Sequence, residues 1–296
     1  RPYWNWHLMS PRQHFDAEWL RLREPVDHRS RSSDLLFPLQ TDWLTYGWSR
    51  ILDLGSGTGS NLRYLAPKIA TDQEWTLIDS DASLLAAADI PEGVQGVRCV
   101  HGDLADEGIN LIKETDLVTG SALLDLVSHA WLERLVCAVE TARCGVLFGL
   151  TYSGDLQWFH VNTHDTDPSE TRPLPDDHSD DTLVRQALNQ HQLLDKGLGP
   201  ALGPTASVVA ETLFKAAGYR TWHRPSPWCL GSGDSRLVRR LLSTWEEAAL
   251  EVESSTEANR IREWADRRRE KVDSGRFSLV VGHLDLLALP ADRKVV

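Results

Sequence analysis

The chain has 296 residues, of which 41 % are apolar and 25 % charged, and it carries a formal net charge of -12. That is enough chain for a full hydrophobic core, as one large domain or one domain with an elaboration. No run of about 18 apolar residues occurs, which argues against a transmembrane helix, and the carboxylate excess disfavours broad contact with a nucleic-acid backbone.

The stretch Arg1-Pro2-Tyr3-Trp4 has no apolar signal core, so cytoplasm is the default expectation. Cys99, Cys137, Cys144 and Cys229 show no C-x-x-C spacing and are predicted to be reduced core residues. Residues 1–48 read as helical. Phe15, Trp19 and Leu22 recur at helical spacing until Pro25 interrupts, and a second helix is expected over about residues 27–40, with Leu35, Leu36 and Leu39 facing inward.

The run Arg50-Ile51-Leu52-Asp53-Leu54-Gly55-Ser56-Gly57-Thr58-Gly59-Ser60-Asn61 follows. It reads as a short apolar strand, an acid near its end, a glycine turn and a helix start. Glycine lacks a Cβ, so such a turn bends sharply and lets a nucleotide-like ligand approach the backbone. A phosphate-binding loop would need lysine after Gly59, where this chain has Ser60. A dinucleotide fingerprint would need glycine at that same position, and Asp53 would place a carboxylate near the pyrophosphate. A cofactor that is cationic at this point fits better.

Strands and helices then alternate, the pattern of a parallel sheet. Residues 75–79 form an apolar strand ending in Asp79, placed near the separation of about 20 residues at which an acid reaches ribose hydroxyls in dinucleotide folds. Asp81 suits the N-cap of a helix over residues 82–88. A third strand leads to Gly102-Asp103-Leu104, and a fourth to Ser121 and Asp125. A helix over residues 130–141 precedes a fifth strand over 144–152.

Residues 48–152 resemble the cofactor half of the class I S-adenosylmethionine-dependent methyltransferases, whose first motif is an acid followed by G-x-G-x-G. The resemblance implies a seven-stranded, mostly parallel, doubly wound α/β sheet. It implies a helical cap over residues 1–48, a cofactor-binding domain over 49–296, and an insertion at about 153–203 before the sixth strand. It also implies cofactor contacts from Asp53, Gly55, Ser56, Gly57 and Asn61, ribose contacts from Asp79 and Ser80, and adenine contacts from Gly102, Asp103 and Leu104. Ser121 and Asp125 would face the methionine part, and Arg31 of the cap would meet its carboxylate. Arg31 reads equally as a solvated helix arginine, and Asp125 as a helix cap.

The implied reaction moves a methyl group from S-adenosylmethionine to a small polar acceptor, through oxygen, nitrogen or carbon, leaving S-adenosylhomocysteine. Ser121-Ala122-Leu123-Leu124 stands where amino-methylating enzymes of DNA bases and glutamine carry Asn/Asp-Pro-Pro-aromatic, which argues against those substrates. The alternatives are an RNA or protein methyltransferase, an inactive cofactor-binding partner subunit, and a nicotinamide-dependent oxidoreductase.

Residues 165–181 are acidic and contain Pro168, Pro173 and Pro175, as in a surface loop; helical spacing returns over 182–195. The segment 153–203 is the expected lid. His160, His164, Asp165, Asp167 and His178 invite a metal reading, but no H-E-x-x-H is present, and no metal is expected. His160, His191, Tyr152 and Asp125 are the catalytic candidates, and Lys196 is a group that could meet an acidic acceptor. Helices are expected over 205–217, 234–252 and 257–272, and strands over 219–223 and 277–289. Arg267-Arg268-Arg269, flanked by Asp266 and Glu270, reads as a solvated helix face.

Overall fold

Short apolar runs ending in acid or glycine make the central sheet. The computed structural model describes residues 16–69, 72–94, 96–159 and 179–291. Its strands are β1 (Arg50–Leu54), β2 (Glu74–Asp79), β3 (Val97–His101), β4 (Leu117–Ser121), β5 (Gly145–Phe159), β6 (Tyr219–Pro225), β7 (Trp228–Leu230) and β8 (Ser278–Pro290). The order across the sheet is β3-β2-β1-β4-β5-β8-β6, with β7 also paired to β8. β1 to β5 pair in parallel, and β8 runs antiparallel to β5, β6 and β7. This is the expected mostly parallel, doubly wound α/β sheet with one short strand added.

The helices are α1 (Ala17–Ser30), α2 (Leu36–Tyr46), α3 (Ser60–Leu65), α4 (Ala82–Ala86), α5 (Ile109–Leu111), α6 (His129–Ala142), α7 (Ser179–Gln192), α8 (Ala206–Ala216), α9 (Ser235–Val252) and α10 (Ala258–Asp273). Successive strand residues point to opposite faces. Leu52, Leu54, Val118, Val146 and Phe148 therefore pack with the apolar residues of α6 and α8. Ile51, Leu117 and Leu147 pack on the other side with Leu39 and Trp43 of α2 and Leu62 and Leu65 of α3. A third cluster forms where β5 and β8 continue past the cofactor half: Leu156, Trp158, Leu279 and Val281 meet β7, α7, α9 and α10.

Several expectations need correction. Pro25 lies inside α1, which continues to Ser30. The helix stops at Arg31 because this arginine turns inward: its Nε donates to Asp285 Oδ2 (3.1 Å), and the Ser32 amide donates to the same oxygen (3.0 Å). A tertiary ion pair, rather than proline, sets the break. The fifth strand does not end at Tyr152 but runs to Phe159, with register shifts against β8 after Phe148 and after Tyr152.

The arginine run is not a solvated face. Arg267 pairs with Asp180 (2.6 Å), Arg268 with Asp181, and Arg269 with Glu246, which ties α10 to α7 and α9. Arg268 also lies 4.6 Å from the centroid of Trp158, one of the buried tryptophans of the third cluster. Of the cysteines only Cys144 is buried; Cys99, Cys137 and Cys229 are exposed, because the strand-like patterns that placed them in the core ignored which face each occupies.

Gly149 leaves the space that Arg31 fills. A Cβ built there would come within 2.3 Å of Arg31 Cζ, and the side chains of Arg31 and Asp285 are only 3 % and 1 % exposed. Gly149→Ala should therefore destabilise the protein by about 2 to 4 kcal/mol, through overpacking and a disturbed buried ion pair, read as a lower urea midpoint with an unchanged slope.

Candidate functional site

Strand order reverses between β1 and β4, so the connections leaving these strands part and open a crevice at their C-terminal ends. A cleft of about 640 Å³ occupies that position, a size suited to a nucleoside-like ligand. One wall comes from the turn after β1: Gly55, Gly57 and Gly59 all have positive φ (64°, 53° and 81°), which a side chain would strain. A Cβ on Gly57 would also reach within 2.9 Å of Leu20 on α1, so the helix lies directly against the turn. Glu24 holds it there through Arg63 (2.6 Å), and His28 Nε2 lies 3.0 Å from the Ser60 carbonyl.

The other strand ends supply carboxylates. Asp79 braces the turn: its Oδ2 accepts from the Gly57 amide (2.8 Å) and its Oδ1 from the Asp81 amide (2.9 Å), leaving further lone pairs for a ligand. Asp103 accepts from the Asp106 amide (2.7 Å) and lines the cleft beside Leu104. Asp81 caps α4 as expected, accepting from the amides of Ser83 and Leu84.

Asp53 is the most constrained group. Its Oδ1 accepts from Asn61 Nδ2 (2.9 Å), while Oδ2 is buried with no partner among the described residues. Burial pushes its carboxyl up to about 7; Asn61 and the Arg31 charge oppose this, and Asp79 adds to it. Asn61 in turn donates to Thr119 Oγ1 (2.9 Å) and accepts from Arg31 Nη1 (3.0 Å).

Of the anticipated cofactor residues, Asp53, Gly55, Ser56, Gly57, Asn61, Asp79, Ser80, Asp103, Leu104 and Ser121 all line this cleft. Arg31 and Gly102 do not. Arg31 is bonded to Asn61 and Asp285 and is buried, so it is not the solvated helix arginine of the alternative reading, and it does not line the cleft. Gly102 is closed off by Glu107, whose Oε2 a Cβ would meet at 1.8 Å, and its amide donates to the Asp79 carbonyl.

Of the catalytic candidates, Tyr152, His191 and Asp125 do not line this cleft. His160, like His164, Asp165, Asp167 and His178, lies outside the described residues; among the described residues no cluster of three or more potential metal ligands occurs. Tyr152 donates to Asn189 Oδ1 (3.0 Å), and burial raises its pKa. His191 Nε2 is 3.0 Å from Glu251, and burial together with Lys196 lowers its pKa. Asp125 is buried with Oδ1 unpartnered among the described residues, and burial raises it to about 6.

The sequence reading missed Leu20, Arg23 and Asp27 of α1, and Leu123, Leu126 and Leu198, all of which line the cleft. The i, i+4 spacing of Arg23 and Asp27 marked a helical pair but not the direction it faces.

No protein-family model matches the chain, and no curated protein matches it. Among solved structures it is similar to an O-methyltransferase family protein from Burkholderia thailandensis, with 13 % identity, 93 % of this chain and 58 % of the other covered, and a TM-score of 0.41. It is also similar to the YcgJ protein of Bacillus subtilis, with 14 % identity, 88 % and 100 % covered, and a TM-score of 0.45. A cyclopropane-fatty-acyl-phospholipid synthase-like protein from Lactobacillus casei gives 14 % identity, 90 % and 92 % covered, and a TM-score of 0.45.

Because Asp53 has a folded-state pKa near 7 against 3.8 for the free side chain, folding favours its protonated form. Its contribution to stability is fully present below about pH 4 and is lost as pH rises through 7. Asp53→Asn should therefore make the ligand-free protein more stable than the wild type at pH 8 but not at pH 4, in urea denaturation at both values.

Proposed function

We propose that this chain is an S-adenosylmethionine-dependent methyltransferase acting on a small-molecule acceptor. The observation that carries the reading is Asp53: a buried carboxylate with one oxygen unsatisfied, beside a glycine turn that brings backbone to the ligand. Such a group calls for a cation or a hydrogen-bond donor. S-adenosylmethionine carries an ammonium and a sulfonium, whereas a dinucleotide would bring a pyrophosphate close to Asp53.

The residues present fit the group. Asp53 and the turn amides would take the methionine end. Asp79 offers spare acceptor capacity to the ribose hydroxyls, and Asp103 with Leu104 forms an acceptor and an apolar face for adenine. Arg31 acts through Asn61, fixing the amide that orients Asp53. Once bound, S-adenosylmethionine supplies an electrophilic methyl group and leaves as S-adenosylhomocysteine, with the proton displaced from an O–H, N–H or C–H acceptor released.

The chain's own contribution is alignment and exclusion of water. α1 is the cap over the cofactor end, and the loop after α7 is the acceptor wall. Of the catalytic candidates, Tyr152 bonds to Asn189 and His191 to Glu251, while Asp125 keeps one oxygen without a partner among the described residues. Among the described residues no helix is long and apolar enough to cross a membrane. Three exposed thiols suit a reducing, cytoplasmic compartment.

Asp79→Ala removes a charged acceptor and the brace of Gly57, and should weaken S-adenosylmethionine binding at least about tenfold. Calorimetric titration checks this, with NAD as a parallel ligand. Unchanged affinity for Asp79→Ala, or binding of NAD in place of S-adenosylmethionine by the wild type, rejects the reading.

A further inference from the structure

Away from the nucleoside end, the cleft wall changes character. Leu123, Leu126 and Leu198 make it apolar, and two cations, Arg23 and Lys196, stand in it. Arg23 is held rigidly. Its Nε and Nη2 donate to the two oxygens of Asp27 (2.8 and 3.2 Å), and its guanidinium lies 5.0 Å from the centroid of Trp228. Trp228 Nε1 donates to Asp27 as well (3.0 Å), so the pair is locked and nearly neutral, with Nη1 left over.

Lys196 is held differently. It is half-buried, and no carboxylate among the described residues lies within ion-pair distance of it; its contact is His191 Nδ1, at 3.3 Å. The tautomer follows from the neighbours. Glu251 accepts only, so His191 Nε2 carries the hydrogen of that 3.0 Å bond; an ammonium donates only, so Nδ1 presents its lone pair to Lys196. A neutral imidazole satisfies both, and burial favours that form. His191 is thus a positioning residue that fixes the lysine at the wall.

The loop that carries Lys196 is built as well. Asp195 Oδ1 gathers the amides of Gly197 (2.7 Å) and Gly199 (3.1 Å), both at positive φ. A half-buried ammonium with no direct ion pair among the described residues, on a loop held by these bonds and lining the same cleft as the three leucines, has hydrogen-bonding capacity left for a ligand. Asp125 and Glu251 act on Lys196 through space, and Asp125 on Arg23 as well, but among the described residues neither carboxylate is hydrogen-bonded to either cation.

We propose that the methyl acceptor is an organic monocarboxylate, its carboxylate held by Lys196 with Nη1 of Arg23 and its apolar body against Leu123, Leu126 and Leu198. With Asp27 in the same cleft, and with Asp125 and Glu251 acting on Lys196 through space, a second negative charge on the ligand would be repelled, which favours a carboxylate over a phosphate dianion. This rests on the methyltransferase reading for the word acceptor, but the anion site stands on its own geometry.

The test is calorimetric titration of protein saturated with S-adenosylhomocysteine. The probes are benzoate, phenylacetate, indole-3-acetate and hexanoate, each paired with its primary amide. At least one acid should bind about tenfold more tightly than its amide. Lys196→Met should reduce that preference to within twofold while leaving S-adenosylhomocysteine affinity unchanged, and Lys196→Arg should restore it. If no acid outbinds its amide, or if the preference survives in Lys196→Met, the proposal is wrong. Failure of S-adenosylhomocysteine to bind sinks the cofactor reading instead, and the same acid and amide pairs on the ligand-free protein still decide the anion site.

Discussion

A single buried guanidinium joins the parts of this molecule that matter to one another. Arg31, at the end of α1, bonds to Asp285 on β8 and to Asn61 at the start of α3; Asn61 bonds to Asp53 on β1 and Thr119 on β4. The other oxygen of Asp285 accepts from the Leu150 amide (2.8 Å), at the bulge where β5 leaves the cofactor half. One connected set of hydrogen bonds therefore spans the cap helix, the first, fourth and fifth strands and the last strand. Buried charges of this kind are costly unless every member is satisfied. Here the one unsatisfied atom, Asp53 Oδ2, faces the place where a ligand would complete the set.

The extension of β5 and β8 gives the acceptor end its own foundation. Its core is separate from the two that sandwich the cofactor half, and α7 is bound to α10 by Asp180 and Asp181 against Arg260, Arg267 and Arg268. Trp264 Nε1 also donates to Asp181 (2.6 Å). Lys196 thus hangs from a helix whose first turn is clamped and whose apolar face, through Val184, Ala187 and Leu188, is buried. Rigid support of this sort suits a group that must hold an acceptor in line.

The gathering of the strand-end residues at one cleft was legible because their pattern is local. A strand, an acid and a glycine turn are contiguous in sequence, and period-two burial fixes where each strand end points, so Asp53, Asp79, Asp103 and Ser121 could be placed from residue order alone. Of the proposed acceptor wall only Lys196 was legible, as a group that could meet an acidic acceptor. Arg23, Lys196 and Leu123 come from three distant segments that meet only after the chain folds, and nothing in the spacing of Arg23 and Asp27 says that Trp228 will close over them. Arg31 was misplaced for a related reason: an arginine on a helix reads as solvated unless its partner, here Asp285 on the last strand, is known. Pro25 misled in the opposite direction, since a local helix breaker was overridden by packing of α1 on α3 and β7.

The pKa of Asp53 has an electrical consequence for the whole site. Near neutral pH the ligand-free carboxyl is close to half protonated, so the proton itself acts as a stand-in for the missing cation. A cationic ligand arriving there would displace that proton rather than simply add its charge. The ligand's charge would thus replace, in part, the charge of the proton it displaces.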